Sequence, residues 1–246
     1  MASEIRLYIS NKLFSGVEVE LTEKQYHYLC HVMRRGIGDE LLLFNGQDGE
    51  WRGALNFLDK NSGRIVISSQ IRGQQPDPNL WLVFSLLKRS PTELVVEKAS
   101  ELGVSRLCPV ITSRTNSTKV NLERLRAIAI EAAEQCGRLS IHEVCQPERL
   151  EQLLSNWPKD RGLVHLDESG AGNAIADVMV ARGSKNGDAV LIGPEGGFEP
   201  AELEYIRALP FVTPVSLGRR LLRAETAAIA ALATWQALSG DWTRDS

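Results

Sequence analysis

The chain has 246 residues, 43% of them hydrophobic, and a formal net charge of −3 at neutral pH. That length and apolar content allow one large buried core or two unequal ones, while the negative balance excludes a protein that coats nucleic acid through bulk positive charge. No segment reaches the ~18 consecutive apolar residues of a membrane span, and the opening MASEIRLYIS lacks the long apolar stretch of a secretory signal, so a cytoplasmic protein without membrane contact is expected. Cys30, Cys108, Cys136 and Cys145 are scattered with no C-x-x-C pair, which reads as reduced thiols rather than a disulfide framework or a zinc ribbon. His27, Cys30 and His31 share i, i+3, i+4 spacing, but no second cluster completes a metal site and none is expected.

Residues 1–72 read as short strands broken by turns. Leu41 to Phe44 leads into the Asn45-Gly46 and Asp48-Gly49 turn signals, then come Trp51 to Phe57 and Arg64 to Ser68, a pattern that predicts a small β-barrel. One helix interrupts it, because Thr22 and Gln25 suit a capping box and Tyr28, Leu29 and Val32 supply an apolar face. The polar, proline-containing run 73–79 is a linker.

Over 80–246, apolar strand candidates alternate with helical patterns. The order is Leu80 to Leu87, a helix near Thr92 to Leu102, Leu107 to Ile111, a helix from Leu122 to Cys136, Gly162 to Leu166 and Ala189 to Ile192. A helix from Pro200 to Leu209, the strand Thr213 to Leu217 and a helix from Thr226 to Leu238 follow. Such alternation predicts an α/β domain, a mainly parallel sheet covered by helices on both faces. Charge is uneven: Lys and Arg match Asp and Glu over 1–72, exceed them over 88–138 (nine against six) and fall short over 139–246 (ten against fifteen). A bound polyanion would therefore lie partly on the middle segment.

Ligands of open parallel sheets collect beyond the carboxyl ends of the strands, which directs attention to three loops: 165–168, 193–198 and 218–226. The loop Gly193-Pro194-Glu195-Gly196-Gly197-Phe198 lets backbone approach a ligand closely, yet it lacks the Walker and dinucleotide spacings, and Glu195 would repel a polyphosphate. A neutral or cationic ligand such as S-adenosylmethionine suits it; the alternative is a tight turn that needs glycine for geometry alone. Arg219, Arg220 and Arg223 precede an alanine-rich helix whose dipole already disfavours cations, so an anion must lie nearby. Glu225 could be that anion, or the arginines could face RNA phosphate or a reacting base. On the helix 122–136 the polar line through Arg124, Glu131, Gln135 and Arg138 reads either as a solvated face with a Glu134–Arg138 pair or as an RNA surface.

The strings 192–198 and 217–227, together with Lys98-Ala99-Ser100-Glu101-Leu102-Gly103-Val104 and Glu131-Ala132-Ala133-Glu134-Gln135-Cys136-Gly137-Arg138, closely resemble the RsmE family of ribosomal RNA small-subunit uridine N3-methyltransferases of the SPOUT superfamily. Val32-Met33-Arg34-Arg35 with Gly38-Asp39 is similar to that family's N-terminal barrel, so the resemblance spans nearly the whole chain. It implies a PUA-like β-barrel over 1–72 that binds RNA, and an α/β SPOUT domain over 80–246 with a deep trefoil knot. It also implies a homodimer, S-adenosylmethionine as cofactor, and 16S ribosomal RNA, in the assembled small subunit, as substrate.

The cofactor pocket implied by the family falls on Leu166, Gly193, Pro194, Glu195, Gly196, Gly197, Leu217, Gly218, Leu221 and Leu222. Arg223 is the candidate for stabilising charge on the uracil, with Glu195 or Glu225 as the base. Arg6, Arg34, Arg35, Lys98, Arg114, Gln135 and Arg138 are the candidate RNA contacts. Rival readings are a non-enzymatic RNA-binding or ribosome-assembly protein and a ribose 2′-hydroxyl methyltransferase.

Overall fold

The computed structural model describes residues 4–115, 120–183 and 187–242. The chain divides into two compact units: residues up to Pro76 together with Ala133–Ile141, and Asp77–Ala132 together with the chain from His142 onward.

The first unit contains β1 (Arg6–Tyr8), β2 (Glu18–Glu20), α1 (Glu23–Tyr26), β3 (Glu40–Phe44), β4 (Glu50–Leu58) and β5 (Gly63–Arg72). Its sheet runs β1-β3-β4-β5-β2, antiparallel except where β1 joins β3. Alternating residues bury one face, so that Leu41, Leu43, Leu55, Ile65 and Ile67 pack against Ile5, Leu7 and Leu13. The helix starts with the expected Thr22–Gln25 capping box, then passes into a six-residue π-helical stretch, His27–Val32. The wider turn rotates the side chains off a 3.6-residue stripe. Leu29 is consequently buried, whereas Val32, expected on the apolar face, stands 57% exposed.

Arg6, a candidate RNA contact, is engaged in this structure as an internal tie of this unit. Its guanidinium, 10% exposed, pairs with Glu50 at 2.7 Å and donates to the carbonyls of Ala133 (2.6 Å), Glu134 (3.1 Å) and Arg138 (2.8 Å). Arg72 grips the other side of Glu50 at 2.8 Å. Burial acts to raise the Glu50 pKa, but the hydrogen bonds from Arg72 and Arg6 outweigh it and hold the carboxyl below its ordinary value. With Phe44, Ala133 and Leu139 packed together, these bonds put 133–141 into the first unit, although strand and helix patterning groups that stretch with the second.

The second unit is built from β6 (Leu80–Ser85), α2 (Arg89–Glu101), β7 (Arg106–Ile111), α3 (Leu122–Cys136), whose last turn belongs to the first unit, β8 (Glu143–Val144), β9 (Glu148–Arg149), α4 (Leu150–Ser155) and β10 (Gly162–Leu166). After these come β11 (Asn173–Ala174), α5 (Ile175–Arg182), β12 (Asp188–Ile192), α6 (Pro200–Ala208), β13 (Val212–Ser216) and α7 (Ala224–Ser239). All strands are parallel, in the order β11-β13-β10-β12-β6-β7-β8, with β9 also on β7. A strand covered on both faces reads as a continuous apolar run, and β12, buried at every position, fits that rule except for its first residue.

That residue, Asp188, is 1% exposed and joins two helices to the sheet. One oxygen pairs with Arg182 of α5 at 2.5 Å; the other accepts the Trp235 indole N–H of α7 at 3.0 Å. Replacing it by Ala would leave a mostly buried guanidinium and an indole N–H without their acceptor. Asp188→Ala is therefore expected to cost about 3 kcal/mol or more, read as a lower urea midpoint, with Asp188→Asn milder because it keeps an acceptor for Trp235.

Candidate functional site

Because β10 lies between β13 and β12, with Leu166 beside Val215 and His165 beside Leu191, the loops leaving these three strands meet at one edge of the sheet. There they enclose a cavity of about 580 Å³, completed by Lys88 and Pro91 after β6 and by the first turn of α7. The volume suits a cofactor-sized small molecule.

The glycine loop after β12 forms the first wall. Gly197 has φ +69°, a backbone conformation that disfavours other residues, and its bare Cα lies against the exposed Glu168 carboxylate, which would have to swing aside for a Cβ. The loop is held from behind. Arg114 donates to the Gly196 carbonyl at 2.6 Å and pairs with Glu199 at 2.7 Å. Buried Glu202 accepts the Ser113 N–H at 2.7 Å and the Glu199 N–H at 2.9 Å, fastening the segment after β7 to the start of α6.

The second wall is the loop after β10. Asp167, with a fully buried side chain, takes a forked contact from Arg207 on one oxygen and the Ser169 N–H (2.9 Å) and hydroxyl (2.7 Å) on the other. Burial works to raise its pKa, but Ser169 and Arg207 together keep it below the ordinary carboxylate value. Asp167 thereby sets the loop geometry and leaves Glu168 exposed as a cavity carboxylate.

The third wall, 217–223, turns at Gly218 (φ +97°) and ends at Arg223, the N-cap of α7. Arg219, Arg220 and Arg223 are exposed, and among the described residues none has an ion pair; in particular no bond joins Arg223 to Glu225. Three cations thus stand beside the positive end of a helix dipole without a counter-ion among the described residues.

Of the residues singled out from sequence, Leu166, Gly193, Pro194, Glu195, Gly197, Leu217, Gly218, Leu221, Leu222, Arg223 and Glu225 line this cavity. Gly196 does not; its carbonyl is held by Arg114, which is thereby engaged in bracing the loop. Leu221 lines the cavity while 84% exposed. Lys98 bridges Glu97 and Glu101 at 2.8 Å each. Arg34 is exposed with φ 54°, Arg35 is half-buried, and Gln135 is exposed at the end of α3. Arg138 lies beside Ser140, with Nε to Oγ at 3.2 Å. Sequence reasoning singled out loop 165–168, with Glu168, and also Arg219 and Arg220, but gave Glu168 no role. It missed Lys88, in the segment leaving β6, and Pro91, in the first turn of α2; the strand-end rule that picks out the other loops would have found Lys88.

His165 also touches the cavity. It is 1% exposed, stacks edge-on to Phe198 at 5.4 Å, and neither ring nitrogen has a hydrogen-bond partner among the described residues. Burial pushes its pKa down to about 4, so the ring is neutral at physiological pH. The unfolded chain then binds the proton first, and His165 removes stability as pH falls from its unfolded value of 6.5 toward 4. Between pH 7 and pH 5 that loss is roughly 2 kcal/mol. His165→Phe should abolish it, so urea unfolding of the variant should show a correspondingly smaller drop over that interval; an identical drop would mean the imidazole is solvated.

Comparison with known proteins gives consistent matches. The family described as RNA methyltransferase domain matches residues 74–236, and the one described as RNA methyltransferase PUA domain matches 21–68. The chain is 31% identical over 230 residues to the ribosomal RNA small subunit methyltransferase E of Rickettsia conorii, covering 93% of both chains. It is 32% identical to that of Synechocystis, covering 95% of this chain and 77% of the relative. Among solved structures, a methyltransferase from Legionella pneumophila in complex with the bound cofactor SAM has a TM-score of 0.86 at 32% identity, over 96% of this chain and 98% of that one. The Neisseria gonorrhoeae ribosomal RNA small subunit methyltransferase E bound to S-adenosyl methionine has a TM-score of 0.87 at 27% identity, over 98% and 100%.

Proposed function

The chain belongs to the ribosomal RNA small subunit methyltransferase E family, and from that premise we propose that it transfers a methyl group from S-adenosylmethionine to N3 of one uridine in 16S ribosomal RNA within the assembled small subunit. The observation that carries this reading is the make-up of the cavity: a glycine loop bearing Glu195 rather than phosphate-binding groups, with Glu168 on the neighbouring loop, and three arginines with no counter-ion among the described residues. The Walker and dinucleotide chemistries are absent from that loop, while a phosphate-free, sulfonium-bearing cofactor suits Glu195 and Glu168. Gly193 and Gly197 give backbone access to an adenine, and Leu166, Leu217 and Leu222 supply apolar wall. When bound, the cofactor supplies an electrophilic methyl group.

The protein's part is to hold the base, stabilise charge and receive a proton. Uracil N3 lies on the pairing edge, so the base must be unpaired or flipped to enter the cavity. As N3 loses its proton, negative charge spreads to O2 and O4, and the unpaired Arg223 guanidinium is the group available to stabilise it. Glu225 and Glu195 line the same cavity and are the candidates for accepting the N3 proton. Arg219 and Arg220 face the phosphates, and Arg34 is a separate RNA contact of the first unit. The PUA-like unit as RNA platform, the trefoil knot, the homodimer and the cytoplasmic location belong to the same reading and rest on family membership.

Two variants test it. Gly197→Val should abolish binding of S-adenosylmethionine in calorimetry while the chain stays folded, because a β-branched residue cannot hold the φ of +69° that shapes this wall and its side chain would displace Glu168. Arg223→Lys should lower single-turnover methylation of unmodified small subunits by ~10²-fold with little change in cofactor affinity, since a point charge does not reproduce the guanidinium fork. Nucleoside mass spectrometry of the product identifies the methylated atom; a ribose-methylated nucleoside, or none with cofactor bound, would overturn the assignment.

A further inference from the structure

A second cavity of the second unit, about 380 Å³, contains a pair of cysteines that the methyl transfer does not use. Cys108 is on β7 and Cys145 follows β8, and the parallel register that sets Arg106 beside Glu143 and Leu107 beside Val144 brings the two cysteines level. The Cys145 N–H donates to the Leu107 carbonyl at 2.9 Å, so that alignment continues through Cys145. Neighbouring strands lie about 4.8 Å apart, inside the Cα separation a disulfide spans. The two sulfurs are 4.0 Å apart.

Their surroundings differ. Cys108 is buried; Cys145 is half-buried, lines the cavity, and accepts the Arg106 Nε–H at 3.1 Å. Arg106 lies over the Trp81 ring at 4.6 Å, which fixes the guanidinium beside the sulfur, although Glu143 shares it at 3.2 Å. The Cys108 thiol hydrogen bond and then the Arg106 contact pull the Cys145 pKa below the ordinary thiol value against the effects of burial and Glu143. The same hydrogen bond and burial push Cys108 up, so it remains the protonated partner.

We propose that Cys145 and Cys108 form a modification site, a dithiol that hydroperoxides oxidise to an intramolecular disulfide, with Cys145 attacked first and Cys108 resolving. The Cys145 thiolate attacks one peroxide oxygen and the O–O bond breaks; the sulfur becomes a sulfenic acid, and the departing oxygen takes up a proton to leave as water or alcohol. Cys108 sulfur then attacks the sulfenic sulfur. The S–O bond breaks, the S–S bond forms, and the hydroxyl leaves with the Cys108 proton as a second molecule of water. The hydroperoxide is reduced by two electrons and the thiol pair is oxidised by two.

Hydrogen peroxide is the probe, applied to the full chain before alkylation and peptide mass mapping. The expected product is a single Cys108–Cys145 cross-link, two hydrogens lighter and reversed by dithiothreitol, with Cys30 and the exposed Cys136 still alkylated. Cys108→Ser should halt at a sulfenic acid on Cys145 that dimedone captures, and Arg106→Met should slow Cys145 oxidation about tenfold. The unsubstituted chain alone is decisive if a variant fails to fold: oxidation of Cys136 ahead of Cys145, or a Cys145 sulfenic acid that accumulates without cross-linking, would overturn the proposal.

Discussion

Parallel pairing of β10 on both its edges is the constraint from which the candidate site follows. Chain order separates Leu166, Gly193 and Leu217 by tens of residues, yet β13 on one side and β12 on the other bring the ends of three strands level. In a parallel sheet all carboxyl ends point the same way, so the three exits share one rim. Each exit then does something different there: one presents Glu168, one presents glycine backbone and Glu195, and one presents arginines. An antiparallel partner for β10 would have sent one of these loops to the opposite edge.

Charges divide sharply between those that hold the frame and those that are left for a ligand. Asp167, Asp188, Glu202 and Glu50 are buried, and each has arginine, indole or backbone donors on both oxygens. Burying a carboxylate is tolerable only on those terms. The arginines of 219–223 have no such arrangement, although they occur beside a helix N-terminus where a cation is least favoured. A protein selected for stability alone would not keep them there. Their position makes sense when the missing negative charge is brought by the substrate.

Much of this could be read in the chain itself, and the failures have physical causes. The central strands were legible because doubly covered strands leave unbroken apolar runs, and α6 because Pro200 fixes φ at its first turn. The three cavity loops were legible from strand ends and glycines. Short α5 and α4 were not, since eight and six residues give too few turns for a helical stripe to stand out. The internal bonding of Arg6 was not legible because its acceptors at 133, 134 and 138 are more than a hundred residues away, and nothing local distinguishes an arginine bound to carbonyls from one in solvent. Gly196 and Arg114 were assigned separate tasks for the same reason, their bond crossing 82 residues. The π-helical stretch escaped because its hydrogen-bond spacing, not its composition, moves Val32 off the buried side.

The first unit closes over a segment made much later in the chain. Arg6 and Phe44 find their partners in Ala133–Ile141, so a ribosome that has released only the first 76 residues has exposed an unfinished core. The first sheet can begin to form then, but both arginines on Glu50 lack their later carbonyl acceptors and Phe44, though covered by Tyr8 and Arg6, lacks the packing of Ala133 and Leu139 until about sixty further residues have emerged, which at ordinary synthesis rates is a wait of several seconds. During that interval the early part of the chain is the one that holding chaperones would recognise. The first unit is thus not finished when its own contiguous stretch has been made, and its maturation is timed by translation of the α3 segment.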